Sequence, residues 1–469
     1  MRLPLGRIAE FIEAAGEFDA NAVAGAYSID SRTLAPGDLF FAVKGERLDG
    51  HEFVDQALAA GAVAAVIAKD QAARYTERHR LLMVGDPLLA LQRLGAAVRR
   101  LWGKKLVAVT GSTGKTTTKE AIAQVLRMRF RLLKSEGNLN NHFGLPLQLL
   151  RLEPEHEIAV IEIGMNHAGE IRALAAIAQH DVAVVTNVGP VHLEFFDSVA
   201  AIARAKYELI ETLHSGGTAV LNADDPYVSQ FGRDFHGKVV TYGIERPADV
   251  RAEKLEERGL EGSAFELVAG GCRQSVTLPM LGLHNVYNAL AAAAVGLENG
   301  IAPSEAATAL AALAPQDKRG ELLEVAGAAV VNDCYNSNPK ALAAMVSSFA
   351  QLPARRRIVV AGEMLELGPS GDELHRQCGT AIAQCRIDAL LGVRGLARQM
   401  VEAARAAGIK AEFVETPQQA GEWLAREVRP GDAVLLKASR GVKLEGALEA
   451  WRAHLQAVAS ALSEAEGAK

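Results

Sequence analysis

The chain has 469 residues, enough at about 150 residues per domain for roughly three domains. Hydrophobic residues make up 49% and charged residues 23%, a globular balance that excludes a disordered or fibrous protein. Lys plus Arg number 50 against 56 Asp plus Glu, a net charge of −6, so no global basic footprint marks a nucleic-acid binder, while a local pocket for an anionic small molecule stays open.

The opening segment MRLPLGRIAEFIEAAGEFDA is broken by Glu10, Glu13 and Glu17 and lacks the apolar core of a secretory signal. No stretch approaches the roughly 18 uncharged apolar residues of a membrane span, and a soluble cytoplasmic monomer is expected. Short Val- and Ile-rich runs alternate with Ala-rich helical stretches along the chain, the pattern of α/β domains with largely parallel sheets. GDLFFAVKG and AVAAVIA read as strands, HEFVDQALAAG and DPLLALQRLGAAVRRLW as helices. After Lys104 and Lys105 the middle third supplies the strands KLVAVT, EIAVIEIGM, DVAVVTNVG, GTAVLNAD and KVVTYGI, with TTKEAIAQVLRMRF and AIARAKYELIETL as helices. The segment IAPSEAATALAALAPQDKRG, with Pro303 and Pro315, reads as a linker, and the strands AVVNDC, RIVVAGEM, DALLGV, AEFVE and AVLLKAS follow it. Three α/β domains, at 1–103, 104–314 and 315–469, are expected. Cys272, Cys334, Cys378 and Cys385 show no CxxC pair and no zinc spacing, so four reduced thiols are expected.

The strongest chemical signal is KLVAVTGSTGKTTTKEAIAQVL, in which a strand, a small-residue turn and a helix opening on Lys115 and Thr116 follow in the order a phosphate loop requires. Gly111 and Gly114 admit backbone N–H groups to phosphate oxygens, Lys115 adds positive charge, and the Thr116 hydroxyl can ligate Mg²⁺. Val109 stands where the general pattern has its first glycine, so the loop is a tighter variant. Mg²⁺ with a nucleotide takes one or two carboxylates. Glu162, at the end of an apolar strand, suits that role or that of a salt-bridged structural carboxylate. His192, after VTNVGP, is a second candidate at the same sheet edge or a plain loop histidine. Asn285 and Asn288 stand at i and i+3 near the start of an Ala-rich helix and can face one pocket or cap the helix. Asp333, Asn336 and Asn338 end a strand before a Pro-started helix, as a substrate loop or as turn residues.

Together TGSTGKTTT, EIGMNHAGEI, HLE, AKYE, HNVYNALAA and NDCYNSNPKA resemble the Mur ligase family over nearly the whole chain. The resemblance implies a three-domain α/β architecture: an N-terminal uridine-nucleotide domain, a central phosphate-loop ATPase domain and a C-terminal doubly wound domain for the incoming amine. It also implies amide-bond formation from ATP through an acyl phosphate, with two Mg²⁺ ions. SIDSRTLAPGDLFFAVKGERLDGHEF is similar to the nucleotide domain shared by ligases adding the third residue or the terminal dipeptide. GNLNNHFGLPLQLL and NDCYNSNPKA look most like the branch that joins D-Ala-D-Ala to a UDP-N-acetylmuramoyl-tripeptide, and a DNPR-type motif of diaminopimelate-adding members is absent.

By motif position the resemblance implies that Thr110, Gly111, Ser112, Thr113, Gly114, Lys115, Thr116 and Thr117 hold the nucleotide phosphates. Thr116 would bind the first Mg²⁺, and Glu162 and His192 the second. Lys206 matches a lysine that many members carry as a carbamate, although the residues alone read as a solvated lysine near Glu208 and Glu211. Lys115, Glu162, His192 and Lys206 form the implied catalytic set. Asn285 and Asn288 would contact adenine, and Arg319 and Asp333 would reach the nucleotide from the third domain, so domain closure belongs to catalysis. Asn140, Asn141, Asn166, Asn336, Asn338, Lys437, Ser439 and Arg440 are substrate candidates, the last five on the dipeptide side. Ser31, Arg32, Lys44, Asp49 and His51 would face the uridine diphosphate, or serve as turn residues and surface charges. Competing readings are another Mur ligase adding diaminopimelate or lysine, a folylpolyglutamate synthase, and a nucleotide-gated binding protein that makes no amide.

Overall fold

The protein is described by a computed structural model covering residues 1–76 and 78–467. An antiparallel pair, β1 (Leu3–Pro4) and β2 (Val23–Ala24), precedes a parallel four-stranded sheet of β3 (Tyr27–Ser28), β4 (Leu39–Phe41), β5 (Ala64–Ala68) and β6 (Leu81–Val84). The helix Pro87–Trp102 then leads into the central sheet. It starts because Asp86 accepts from the N–H groups of Leu88 and Leu89 at 2.7 and 3.3 Å with Pro87 in the first turn, and it stops at Gly103, whose φ of 64° is left-handed.

The central sheet has nine strands: β7 (Lys105–Thr110), β8 (Leu132–Lys134), β9 (Ile158–Glu162), β10 (Val182–Val185), β11 (Thr218–Asn222), β12 (Lys238–Gly243), β13 (Val250–Glu257), β14 (Ser263–Ala269) and β15 (Cys272–Leu278). Their spatial order is β15-β14-β13-β12-β11-β10-β7-β9-β8. It is parallel from β8 to β13 and antiparallel across β13, β14 and β15. The third sheet is ordered β16-β17-β21-β18-β19-β20, with β16 (Glu321–Val325) antiparallel to β17 (Ala328–Asp333). Its other strands, β18 (Arg357–Gly362), β19 (Ala389–Val393), β20 (Lys410–Val414) and β21 (Ala433–Lys437), are parallel. The α/β class and every strand expected from the sequence are present. The antiparallel β13–β15 extension is not anticipated by the pattern, because VRAEKLEE carries charge on its exposed face and a register shift lies between Glu253 and Glu256.

Apolar strand residues alternate between two layers, as strand geometry requires. Leu106 and Ala108 face one core, which is continuous with the N-terminal sheet through Leu91, Leu94 and Val98, whereas Val107 and Val109 face Ile122, Val125 and the Ala-rich helix Leu283–Glu298. In the third sheet Val359 and Ala361 face one layer and Ile358 and Val360 the other. Among the described residues no helix is long and apolar enough to cross a membrane.

The chain runs from β7 outward to β8, returns to β9, and then crosses to β10 on the other side of β7. Carboxyl ends at such a reversal form the crevice in which open α/β sheets bind ligands. Register levels those ends, since Val109 pairs with Glu162 and Thr110 with Val185.

Candidate active site

The turn after β7 is built for close backbone approach. Gly111 has φ of 151°, and a Cβ there would lie 1.8 Å from Thr186 Oγ1; Gly114 has φ of 78°, and its Cβ would lie 2.5 Å from Asn288 Oδ1. The end of β10 braces this turn: Ser112 N–H donates to Asn187 O at 2.9 Å, Thr113 N–H to Asn187 Oδ1 at 3.0 Å, and Thr186 Oγ1 to Thr113 O at 2.6 Å. Thr110 lies behind the turn, with its hydroxyl donating to Ile163 O at 2.9 Å. The helix Lys115–Leu126 begins at Gly114 without a side-chain cap, so its first N–H groups are left for an anion.

Lys115 Nζ donates to Gly111 O at 2.9 Å. Burial holds its ammonium below the ordinary lysine range, partly offset by Glu162. Glu162 is 4% exposed and accepts from Thr116 Oγ1 and Asn140 Nδ2, both at 2.7 Å. Its oxygens take neutral donors and it forms no salt bridge among the described residues. A buried carboxylate that takes only neutral hydrogen-bond donors at the mouth of a phosphate loop, with Lys115 nearby but not bonded to it, fits a divalent metal ligand. No group of three His, Cys, Asp or Glu side chains converges among the described residues, so an ion there would draw the rest of its coordination from Thr116, phosphate oxygens and water, as Mg²⁺ does.

Lys206 lies on the helix Val199–Glu211, is 2% exposed, and makes no hydrogen bond or ion pair among the described residues. Burial first, and the neighbouring Lys115 second, push it well below the ordinary lysine range. Pairing with Glu208 or Glu211 does not occur. Glu208 instead accepts from the N–H groups of Gly169 and Arg172 at 2.7 and 3.0 Å, at the start of the helix Glu170–Ala178, and Glu211 pairs with Arg172 at 2.6 Å. A buried carboxylate on those donors is a strong cap, and Glu208→Ala is expected to lower unfolding stability by about 2 kcal/mol, read as a lower denaturant midpoint.

The cleft over the phosphate loop has a volume of about 750 Å³, with walls from the central and third sheets. Residues 112–117, Asn140, Glu162, Asn166, His192, Asn285, Asn288, Arg319, Asp333, Asn336, Asn338, Lys437, Ser439 and Arg440 all line it. Asn285 and Asn288 share one helix face and neither caps the helix, whose N-cap is Gly282. Asn288 Nδ2 donates to Asn285 Oδ1 at 3.0 Å and Asn288 Oδ1 accepts from Thr118 Oγ1 at 3.0 Å, so the pair also braces the phosphate-loop helix. Arg319 stacks over Tyr335, 3.6 Å from guanidinium to ring centre.

Several sequence candidates have structural partners. Lys437 Nζ donates to Asp333 Oδ2 at 2.5 Å and to Asn336 O at 3.0 Å, tying β21 to β17. Asn338 caps the helix Pro339–Phe349 by accepting from Ala341 N–H at 2.9 Å, and Asn141 accepts from Phe143 and Gly144 N–H groups at 3.2 and 3.0 Å. Ser439 Oγ accepts from Leu365 N–H at 2.9 Å. Asn141 and the N-terminal set Ser31, Arg32, Lys44, Asp49 and His51 do not line the cleft. Arg32 grips Asp30 at 2.9 and 2.7 Å, Ser31 donates to Gln56 at 3.2 Å, Lys44 and Asp49 form a backbone bridge, and His51 Nε2 accepts from Ala68 N–H at 3.0 Å.

Sequence reasoning missed four residues of the site. Asn187 braces the loop, and its place at a strand end was the available signal. Lys340, from the third domain, donates to Val188 O at 3.3 Å and reaches Asp225 at 3.5 Å. Tyr335 carries Arg319, and Glu366 meets His192 across the cleft at 2.6 Å; nothing in the sequence marks these contacts between distant segments.

The chain is similar to known proteins over most of its length. Models described as the Mur ligase middle domain, the Mur ligase glutamate ligase domain and the Mur ligase family catalytic domain match residues 109–296, 318–440 and 25–100. The UDP-N-acetylmuramoyl-tripeptide–D-alanyl-D-alanine ligase of Bacillus subtilis is 37% identical over 420 residues, covering 89% of this chain and 90% of that protein. The Escherichia coli protein of the same name is 36% identical over 393 residues, covering 83% and 85%. The crystal structure of MurF from Acinetobacter baumannii superposes with a TM-score of 0.87 at 30% identity, covering 96% of this chain and 98% of that one. MurF from Thermotoga maritima, in complex with ADP, superposes with a TM-score of 0.82 at 29% identity, covering 92% and 98%.

Proposed function

The chain belongs to the Mur ligase family, and from that premise we propose that it joins D-Ala-D-Ala to a UDP-N-acetylmuramoyl-tripeptide at the expense of ATP, in peptidoglycan precursor synthesis. The observation that carries the chemistry is the cluster in which Thr116 and Asn140 hold the buried Glu162 beside Lys115 at the head of a phosphate loop. The substrate pair rests on the two relatives above, each covered over more than four-fifths of its length. In this reading residues 1–103 take the uridine nucleotide, 104–314 the ATP and 315–469 the dipeptide, and the enzyme works as a cytoplasmic monomer.

The terminal carboxylate of the tripeptide attacks the γ-phosphorus of ATP, an O–P bond forms and ADP leaves. The amine of D-Ala-D-Ala then attacks the acyl carbon, a C–N bond forms, inorganic phosphate departs, and the amine proton passes to solvent. Two Mg²⁺ ions, when bound, offset the repulsion between the carboxylate and the phosphates. Thr116, Glu162, His192 and Lys206 as a carbamate would hold them. Lys115 and the first N–H groups of its helix bind the phosphates, Asn285 and Asn288 lie on the adenine side, and Arg319, fixed on Tyr335, brings charge to the nucleotide from the third domain.

With ATP, Mg²⁺ and UDP-N-acetylmuramoyl-tripeptide, phosphate release is expected only when D-Ala-D-Ala is added, with a product heavier by the dipeptide less water. Release that depends instead on a single amino acid would move the protein to another step of the family, and release that needs neither would overturn the substrate reading.

A further inference from the structure

The His192–Glu366 contact has features of a built joint between the central and third domains. His192 and Glu366 are both non-glycine residues in the left-handed region, with φ of 55° and 63°. Such residues are strained and persist only where their surroundings hold them. The two strained turns are docked on each other: Glu194 N–H donates to Glu366 O at 3.2 Å, and a Cβ at Gly368 would stand 3.0 Å from Glu194 Cα. A larger residue there would press the two turns apart. At the tip of the joint the Glu366 carboxylate meets His192 Nδ1 at 2.6 Å, and both side chains line the cleft.

A carboxylate only accepts, so Nδ1 carries a proton in this contact, and in the neutral imidazole the Nε2 lone pair is then free. Histidines that bind metals are commonly held this way through their other nitrogen. We propose that Glu366 is a positioning residue: supplied by the third domain when it docks, it fixes the tautomer and ring orientation of His192 so that Nε2 is presented for a divalent cation. The inference rests on the proposed metal role of His192. Its consequence is that metal binding at the His192 side of the site is coupled to docking of the third domain, so that tight binding waits for the dipeptide-bearing domain to be in place.

Mn²⁺ binding to the full chain with a non-hydrolysable ATP analogue, followed by electron paramagnetic resonance, tests this without turnover. Glu366→Ala is expected to weaken Mn²⁺ binding about 10-fold or more, with the thermal midpoint unchanged, because the Glu366 side chain is 47% exposed, and with metal-free nucleotide affinity not reduced, because the change removes a negative charge near Lys115. Glu366→Gln, whose amide oxygen still accepts from Nδ1, is expected to restore most of the loss. In a His192→Ala background, Glu366→Ala is expected to add nothing further. Unchanged or tighter Mn²⁺ binding in Glu366→Ala, or a full additional loss in the His192→Ala background, would overturn the inference and leave the ligase reading intact. Failure of the unsubstituted chain to bind Mn²⁺ with the nucleotide would overturn both.

Discussion

Lys115→Ala is expected to reduce ligase turnover by about a thousand-fold or more while leaving the thermal midpoint at or above that of the unsubstituted chain. The two effects share one cause. The Lys115 side chain is half-buried at the cleft floor with a single backbone acceptor, Gly111 O at 2.9 Å, and no ion pair among the described residues. Burial holds it below the ordinary lysine range, so its charge is by itself a cost to the fold. Phosphate oxygens would turn that cost into transition-state stabilisation, since charge held in a low-dielectric site interacts far more strongly than in water. Phosphate release with both co-substrates and a thermal melt check the two halves. Full turnover in the alanine variant would remove the phosphate-loop assignment, and a large fall in the midpoint would assign Lys115 a structural role.

The elements legible from the sequence are those whose signal is local. Β-branched runs mark β7, β9, β10 and β21, and TGSTGKTT marks the phosphate loop, because two glycines and a lysine at fixed offsets have few other uses. The β13–β15 meander was hidden, since β13 carries Glu253, Lys254, Glu256 and Glu257 and a register shift between Glu253 and Glu256 breaks its alternation. The site divides in the same way. Glu162 could be placed from an apolar strand ending in a charge, but Asn141, Asn338 and Lys437 read as ligand residues and turn out to have structural partners as well, because Asn and Lys serve caps and cross-strand ties with the same chemistry. Contacts such as Lys340 with Val188 or Glu366 with His192 join residues more than 150 positions apart, and only the docking of two sheets creates them.

Lys206→Ala is expected to lower turnover by about a hundred-fold or more, with part of the loss restored by acetate or formate at millimolar concentration, whereas Lys206→Arg stays inactive with or without them. The argument begins from burial. At 2% exposure, with no anion to pair with among the described residues, the ammonium is disfavoured by desolvation first and by Lys115 second. Two like charges repel, and more strongly in a low-dielectric interior than in water. A neutral amine in that position is a nucleophile for CO₂: nitrogen bonds to carbon, one proton leaves to solvent, and a carbamate of charge −1 results. The sign of the Lys115–Lys206 interaction then reverses, and an oxygen donor stands where an ammonium would repel a divalent cation. Glu208 and Glu211, the two carboxylates that could have neutralised the ammonium from its own helix, are occupied at Gly169 and Arg172, so the helix leaves Lys206 without an alternative partner. The alanine variant opens space for a small carboxylate to take the place of the carbamate, while arginine fills that space and keeps a positive charge. Labelled bicarbonate followed by nuclear magnetic resonance reads the same chemistry without turnover, as a carbamate signal present in the unsubstituted chain and missing in Lys206→Ala. Full activity in the alanine variant, or loss of activity with no carbamate signal in the unsubstituted chain, would return Lys206 to a role in packing alone.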